Sequence, residues 1–451
     1  MQDSTLIKSP SKKGKGLKKL NLPLSGFDGL KVILFFGFAY FLSYAFRAVN
    51  AVIAPELIAD LKIGNSVLGL LSSAYFVGFA LMQLPLGVWL DKYGSRRTES
   101  LLLLSTFVGS LLFAWAENIM WVSSGRALIG VGVSSSLMAA FTAYRQWFKP
   151  EQQGSLASGM LVFGTAGALM TTMPVQAALP YLGWRGIFYV MALLVALASA
   201  GIWFGLPKGG DPRSKKHLKL VQNLDVQSVR PKKIFAWLTS YGQIFKNGFF
   251  LQMLPIGIFN QGGFIAVQTL WLGPWFLNVV GLPEATVARA LFIFNGVLLC
   301  GYLLNTWLVP RINKNGISTF KYSILITGVA ITAQWSAVTT SGDSALYWWY
   351  FFGFCATGFI LGQSLVQMHF PSSMTGRAST AYNLALFIGA FLIQWGIGWG
   401  IDLGIAQGLT KAEAFRLTME ILIFVQLLAY IWIWIAPRVL NAEQFVYREH
   451  L

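Results

Sequence analysis

Gly87-Val88-Trp89-Leu90-Asp91-Lys92-Tyr93-Gly94-Ser95-Arg96-Arg97 is a polar turn set between two long apolar runs, residues 66–90 and 98–116. It carries one carboxylate, Asp91, beside Lys92, Arg96 and Arg97, while Gly87 and Gly94 permit close helix approach and a sharp bend. Each flanking run is near the ~20 residues that cross a bilayer as a helix, so the chain is read as crossing, turning and crossing back. The same alternation extends both ways. Predicted spans are 31–57, 66–90, 98–116, 118–143, 154–179 and 184–206, then 248–279, 286–309, 318–339, 346–369, 377–402 and 413–437.

Composition demands this reading. Of 451 residues, 55% are hydrophobic and 11% charged, against about 25% charged in soluble domains, so a water-facing surface could not be covered. The expected fold is an all-α polytopic membrane protein of twelve helices in two six-helix bundles. Its segments are a basic tail (1–29), a first bundle (30–206), a linker (207–245), a second bundle (246–437) and a tail (438–451). The linker holds Lys208, Arg213, Lys215, Lys216, Lys219, Arg230, Lys232 and Lys233. With both termini in the cytoplasm, 27 of the 34 Lys and Arg fall inside and five outside (Lys62, Arg185, Arg289, Lys411, Arg416), with Arg47 and Arg126 within spans. That bias fixes the expected orientation, in a bacterial inner membrane. The net charge of +17 lies mostly in tail and linker, which suits anionic lipid headgroups and not nucleic acid. A monomer is expected.

The polar turn also recurs. Gly87, Asp91 and Arg97 reappear as Gly301, Asn305 and Arg311, each displaced by 214 residues (301 minus 87), as in a duplicated chain. The spacing Gly-x-x-x-Asp-x-x-Gly-x-Arg-Arg resembles the signature between the second and third helices of the major facilitator superfamily. Arg126-Ala127-Leu128-Ile129-Gly130-Val131-Gly132 and Gly183-Trp184-Arg185 resemble further patterns of that family. Asn305 departs from it, standing where an acid often sits, as does Gly164-Thr165-Ala166-Gly167 in place of a Gly-Pro pair. The resemblance implies two bundles of inverted three-helix repeats with substrate bound at midplane between them. It also implies a gate formed by Gly87, Asp91, Gly94, Arg96 and Arg97, with Asp91 against the start of span eleven near Arg377 and within reach of Arg145.

The sharpest chemical signal is Arg47, near the middle of span one, where a cation costs about 2.5–3.5 kcal/mol to insert. Tyr40, Tyr44, Arg47 and Asn50 fall on one helix face, making a polar stripe with a cationic centre. Tyr75 and Gln83 are candidate neighbours, and Arg126 is a second buried cation. Residues 44–57 also resemble the first helix of facilitators for organophosphates and organic acids, in which an Arg contacts the anion. Span seven lacks a second buried cation, so one guanidinium suits a carboxylate better than a dianionic phosphate. The second half offers neutral groups: Asn260, Gln261, Gln268 and Trp271, then Gln363 and Gln367, then Asn383 and Trp395. Amides of this kind also serve as interhelix hydrogen bonds.

Other chemistries lack their residues. Cys300 and Cys355 sit in apolar runs, His217, His369 and His450 are scattered, and there is no phosphate-binding Gly-rich loop. No metal, cofactor or enzymatic activity is expected. Glu56 and Glu420 lie toward outer ends, while Asp91 and Glu99 are assigned to the inner surface. A coupled proton would then fall to Glu56, Glu420 or the substrate's own carboxyl. The reading is a secondary active transporter of a small organic anion, a carboxylate, working by alternating access, with proton symport as one coupling. The alternatives are a carrier of neutral or cationic solutes or drugs in which Arg47 is structural, and a non-transporting sensor.

Overall fold

The computed structural model describes residues 26–148, 152–206, 235–370 and 374–440. Most of the N-terminal tail and linker, and the end of the C-terminal tail, fall outside the described residues.

The first half comprises α1 (Phe27–Ala48), α2 (Asn50–Leu61), α3 (Asn65–Trp115), α4 (Ile119–Val133), α5 (Ser136–Trp147), α6 (Gln153–Met170) and α7 (Met173–Gly205). After α8 (Phe235–Lys246) come α9 (Gly248–Val280), α10 (Glu284–Lys314), α11 (Thr319–Thr339), α12 (Ser344–His369), and finally α13 (Thr375–Ala406) and α14 (Lys411–Val439). The predicted spans map onto these helices once two left-handed glycines are taken as turns. Gly94 (φ 77°) bends α3 between spans two and three, and Gly183 (φ 60°) bends α7 between spans five and six. A side chain with a β-carbon is strained at such a φ. Among the described residues, ten segments are long and apolar enough to cross a membrane, and Gly159–Met170 is a shorter apolar stretch.

The two halves form the expected pair of bundles. Helices α1–α7 pack on one another, as do α9–α14, and α13 lies along α3 at the seam. Small residues set the spacing. A side chain at Gly130 would collide with the Tyr75 carbonyl, and one at Gly398 with the Asn65 carbonyl across the seam, so the second, fourth and eleventh spans approach to backbone contact.

The seam is latched at one end. Oδ1 of Asp402, near the end of α13, accepts from the Asn65 backbone N–H (3.2 Å) and Nδ2 (2.9 Å), and Oδ2 from the Ser66 N–H (2.6 Å). The carboxylate thus caps the first turn of α3 from the opposite half, where orphan N–H groups and the helix dipole favour an anion. At the same end Arg185 pairs with Asp60, and Trp184 Nε1 donates to it (3.1 Å). Asp60 lies beyond span one, and the bond from Arg185 holds its carboxyl below the ordinary 3.8.

Candidate functional site

Between the bundles lies a cavity of about 930 Å³. Its first-half wall comes from α1 (Tyr40, Ser43, Tyr44, Arg47), α3 (Phe79, Gln83) and the joint between α4 and α5 at Ser134. The second-half wall carries Gln261 and Gln268 of α9, Tyr302 of α10, Gln363 of α12 and Asn383 of α13. Eight of the candidates from sequence therefore meet in one space: Tyr40, Tyr44, Arg47, Gln83, Gln261, Gln268, Gln363 and Asn383.

Arg47 is the cationic centre of this space. Its guanidinium lies over the rings of Tyr44 (4.7 Å), Phe387 (5.6 Å), Phe79 (5.8 Å) and Tyr75 (6.0 Å), cation–π contacts that offset part of its desolvation. Among the described residues no carboxylate pairs with it. Arg47 Nε, Gln83 Oε1 and Gln261 Oε1 are buried without a hydrogen-bond partner, an arrangement native interiors rarely tolerate. The phenol of Tyr40 donates to that of Tyr44 (3.3 Å). Opposite, Gln268 Nε2 donates to Asn295 Oδ1 (3.0 Å) and Gln363 Nε2 to Ser379 Oγ (3.3 Å), which fixes how each amide is presented. The backbone of α9 contributes as well. It widens into π-helical turns at Ile256–Gln261 and Val267–Trp271, and such turns shift side chains off the regular helical register.

The remaining candidates lie outside the lining. Asn50 is buried and donates to Ser72 Oγ (2.8 Å), Tyr75 donates to the Ser43 carbonyl (3.4 Å), and Trp271 Nε1 to the Gln394 carbonyl (2.9 Å). Gln367 Nε2 donates to Ser379 Oγ (2.7 Å). Asn260 is enclosed within the second half and Trp395 is exposed. Arg126 is buried, donates to the Phe46 carbonyl (2.8 Å) and lies 5.4 Å from the Tyr75 ring. It thereby stands directly behind span one, not in the cavity.

Sequence reading did not single out Tyr302, Ser43 or Ser134. Tyr302 adjoins Gly301 of the repeated turn motif, and a phenol inside an apolar run was the available signal.

Of the residues expected to form a gate, Asp91 has its side chain outside the described residues. Gly94 makes the bend, whereas a β-carbon at Gly87 would meet nothing within 4 Å. Arg96 Nη1 donates to the Leu206 carbonyl (3.4 Å) and its guanidinium lies 5.8 Å from the Trp203 ring, tying the turn to the end of α7. Arg97 is half-buried on the same turn, and Arg145 and Arg377 are exposed. The second-half counterpart is different in kind. Asn305 Nδ2 donates to Thr357 Oγ1 (2.8 Å), and Tyr322 donates to Asn305 Oδ1 (2.8 Å), so this amide is a knot within one bundle.

Glu99 corrects an expectation. The sequence reading places it at the inner surface, yet it is 0% exposed. Ser135 and Ser136 donate to its two oxygens, the latter at 2.8 Å. A helical period cannot tell a surface acid from one turned inward onto serines of another helix.

Comparison with known proteins agrees with this architecture. The chain is 24% identical over 409 residues to the hexuronate transporter of Bacillus subtilis, covering 82% of this chain and 92% of that one. It is 26% identical over 325 residues to a probable nitrate/nitrite antiporter of Thermus thermophilus, covering 68% of each. In fold it matches the crystal structure of a bacterial homolog of the human lysosomal transporter Spinster, inward-facing and unoccupied, at TM-score 0.71 and 16% identity over 92% of this chain and 98% of that one. Residues 36–394 match the Major Facilitator Superfamily model. With that match spanning most of both bundles, this integral membrane chain belongs to the Major Facilitator Superfamily, a family of transporters and not enzymes.

Proposed function

We infer that the chain carries a polyhydroxylated monocarboxylate, a sugar acid, across the plasma membrane by alternating access. The observation behind this is a single guanidinium, Arg47, without an acidic partner, in a cavity otherwise lined by phenols, hydroxyls and amides. A carboxylate accepts two parallel hydrogen bonds from the guanidinium fork, and hydroxyl groups find donors and acceptors on Tyr40, Tyr44, Tyr302, Gln83, Gln261 and Asn383. Phenols, hydroxyls and amides on both walls offer partners to the hydroxyl groups of a sugar acid that a nitrate ion would leave unused. The names of relatives support an organic acid: hexuronate in one, galactarate or D-glucarate in another, a probable Escherichia coli transporter 22% identical over 76% of this chain. With Arg126 behind span one, a second carboxylate has no second cation in the cavity, which favours monoacids over diacids.

The charge distribution supports placing the Gly87–Arg97 turn and both termini in the cytoplasm. The Asp402 latch then lies at the outer end of the seam. Radiolabelled D-glucuronate uptake into proteoliposomes tests the reading. Saturable uptake competed by D-galactonate, and several-fold less by D-glucarate, is expected. Transport of neutral hexoses or organic cations at the expense of glucuronate would replace it with the reading in which Arg47 is structural.

A further inference from the structure

Among the described residues, the most enclosed carboxylate of the first half has no part in the scheme above. Glu99 lies on α3 past the Gly94 bend, enclosed, with the hydroxyls of Ser135 and Ser136 on its two oxygens. Those serines belong to the joint where α4 gives way to α5. The preceding residue, Ser134, bonds back to the Val131 carbonyl (2.7 Å) and lines the cavity that holds Arg47. One short stretch, Ser134 to Ser136, therefore walls the cavity on one side and gives two hydroxyls to Glu99 on the other.

Nothing charged balances Glu99 among the described residues. Its own helix carries Lys92, Tyr93, Arg96 and Arg97, with Arg96 directed to Leu206 and Trp203. Around it α4 carries Arg126, which faces the Phe46 carbonyl; α5 carries Tyr144 and Arg145; α7 carries Tyr181, Arg185 and Tyr189. None of these bonds to Glu99, whose partners are the two serines. The neighbouring α7 contact is neutral, Ser199 Oγ donating to the Ser100 carbonyl (2.8 Å). An ionised carboxylate enclosed without a cation is costly, and binding a proton removes that charge without disturbing the packing.

We propose that Glu99 is a proton-binding site of the transport cycle, loaded and emptied through the Ser134–Ser136 joint that also walls the substrate cavity. The proposal rests on the transport reading, and supplies its coupling ion and the residue that holds it. The proton adds to a carboxylate oxygen to give the neutral acid, and leaves as the joint moves when Arg47 binds or releases an anion.

Two measurements on the full chain test it. Infrared difference spectra across a pH titration should show a protonated-carboxyl carbonyl band that Glu99→Gln removes. Ser136→Ala, which keeps the carboxyl and removes one donor to its ionised form, should tighten proton binding about tenfold. In proteoliposomes containing a pH dye, wild-type D-glucuronate uptake should carry protons and be driven by an imposed pH gradient. Glu99→Gln should lose the gradient-driven accumulation at least tenfold while retaining glucuronate exchange. Gradient-driven accumulation at wild-type level in Glu99→Gln, or a carboxyl band unchanged by that substitution, overturns the proposal. The infrared arm needs no substrate. A wild-type chain that titrates Glu99 but exchanges no glucuronate supports the proton site and faults the sugar-acid reading instead.

Discussion

The two bundles are built alike and furnished differently. The first encloses charge: Arg47 in the cavity, Arg126 behind it, and Glu99 between the third and fourth spans. The second encloses amides: Gln268 on Asn295, Gln363 on Ser379, and Asn305 on Thr357 and Tyr322. Where the repeated turn places Asp91 in the first half, the second has Asn305 knotted into its own bundle. The difference teaches that one cavity has a cationic wall and a neutral one. In the sugar-acid reading proposed above, the guanidinium attracts the anion, while neutral amides direct the hydroxyl groups without the desolvation cost of a second charge. An anion bound to Arg47 and hydrogen-bonded to the opposite wall bridges the halves, so its binding free energy bears on how they move.

Three sets of substitutions break or sharpen that contrast. The largest effect is expected at Arg47. Arg47→Ala should lower glucuronate uptake about a hundredfold, and Arg47→Lys should restore no more than a tenth of it, since an ammonium cannot reproduce the fork. Both variants should fold, because Arg47→Ala removes a buried cation and so relieves cost as well as contact, and Arg47→Lys keeps the charge already accommodated there. Size-exclusion chromatography and uptake, measured together, check this. Uptake by Arg47→Lys at wild-type rate would return the cation to a structural role.

Next is the carboxylate that the second half lends to the first. Asp402→Ala removes three acceptor contacts from the start of α3, and should shift the resting population about tenfold toward opening at that end. A cysteine introduced as Ser66→Cys keeps the backbone donor and reports accessibility. Its maleimide labelling from outside should accelerate accordingly in the Asp402→Ala background. Asn65→Ala, which removes one donor of three, should have a smaller effect. Unchanged labelling in both would show that packing alone, as at Gly398, holds the seam.

The smallest effect separates a charged tie from a neutral one at the same end. Asp60 pairs with Arg185 in the first half, whereas Arg416 Nη2 donates to Ser341 Oγ (3.1 Å) in the second. The folded pKa of Asp60 is depressed below its ordinary 3.8. Its stabilisation is therefore full above that value and lost as pH falls through the lower folded value. For a pair about half exposed to solvent it amounts to about 0.5 kcal/mol. Asp60→Asn should lower Tm by a degree or two at pH 7 and by progressively less as the pH falls below 3.8, while Ser341→Ala should show no such dependence. Thermal unfolding followed by tryptophan fluorescence reads both.

Much of the cavity could be read from order along the chain. Tyr40, Tyr44 and Arg47 share a face because a helix repeats every 3.6 residues, and apolar surroundings marked Arg47 as costly wherever it pointed. The amides of the second half were legible as a set but not one by one. Gln363 and Gln367 sit one turn apart, yet only Gln363 lines the cavity, while both reach Ser379. Adjacent within a π turn of α9, Asn260 turns into the bundle while Gln261 reaches the cavity.

By itself, the sequence determined that this chain crosses a membrane, where its turns fall and which half carries the cation, because hydrophobic run length and charge cost are local properties. Tertiary structure alone decided the rest. Asp402 and Asn65 are separated by 337 positions, and Glu99 meets Ser135 and Ser136 36 and 37 positions away. Neither pairing leaves a periodic trace along the chain. Whether an acid faces water, latches a seam or is enclosed on two hydroxyls depends on what the neighbouring helix presents at that depth, and only packing brings those surfaces together.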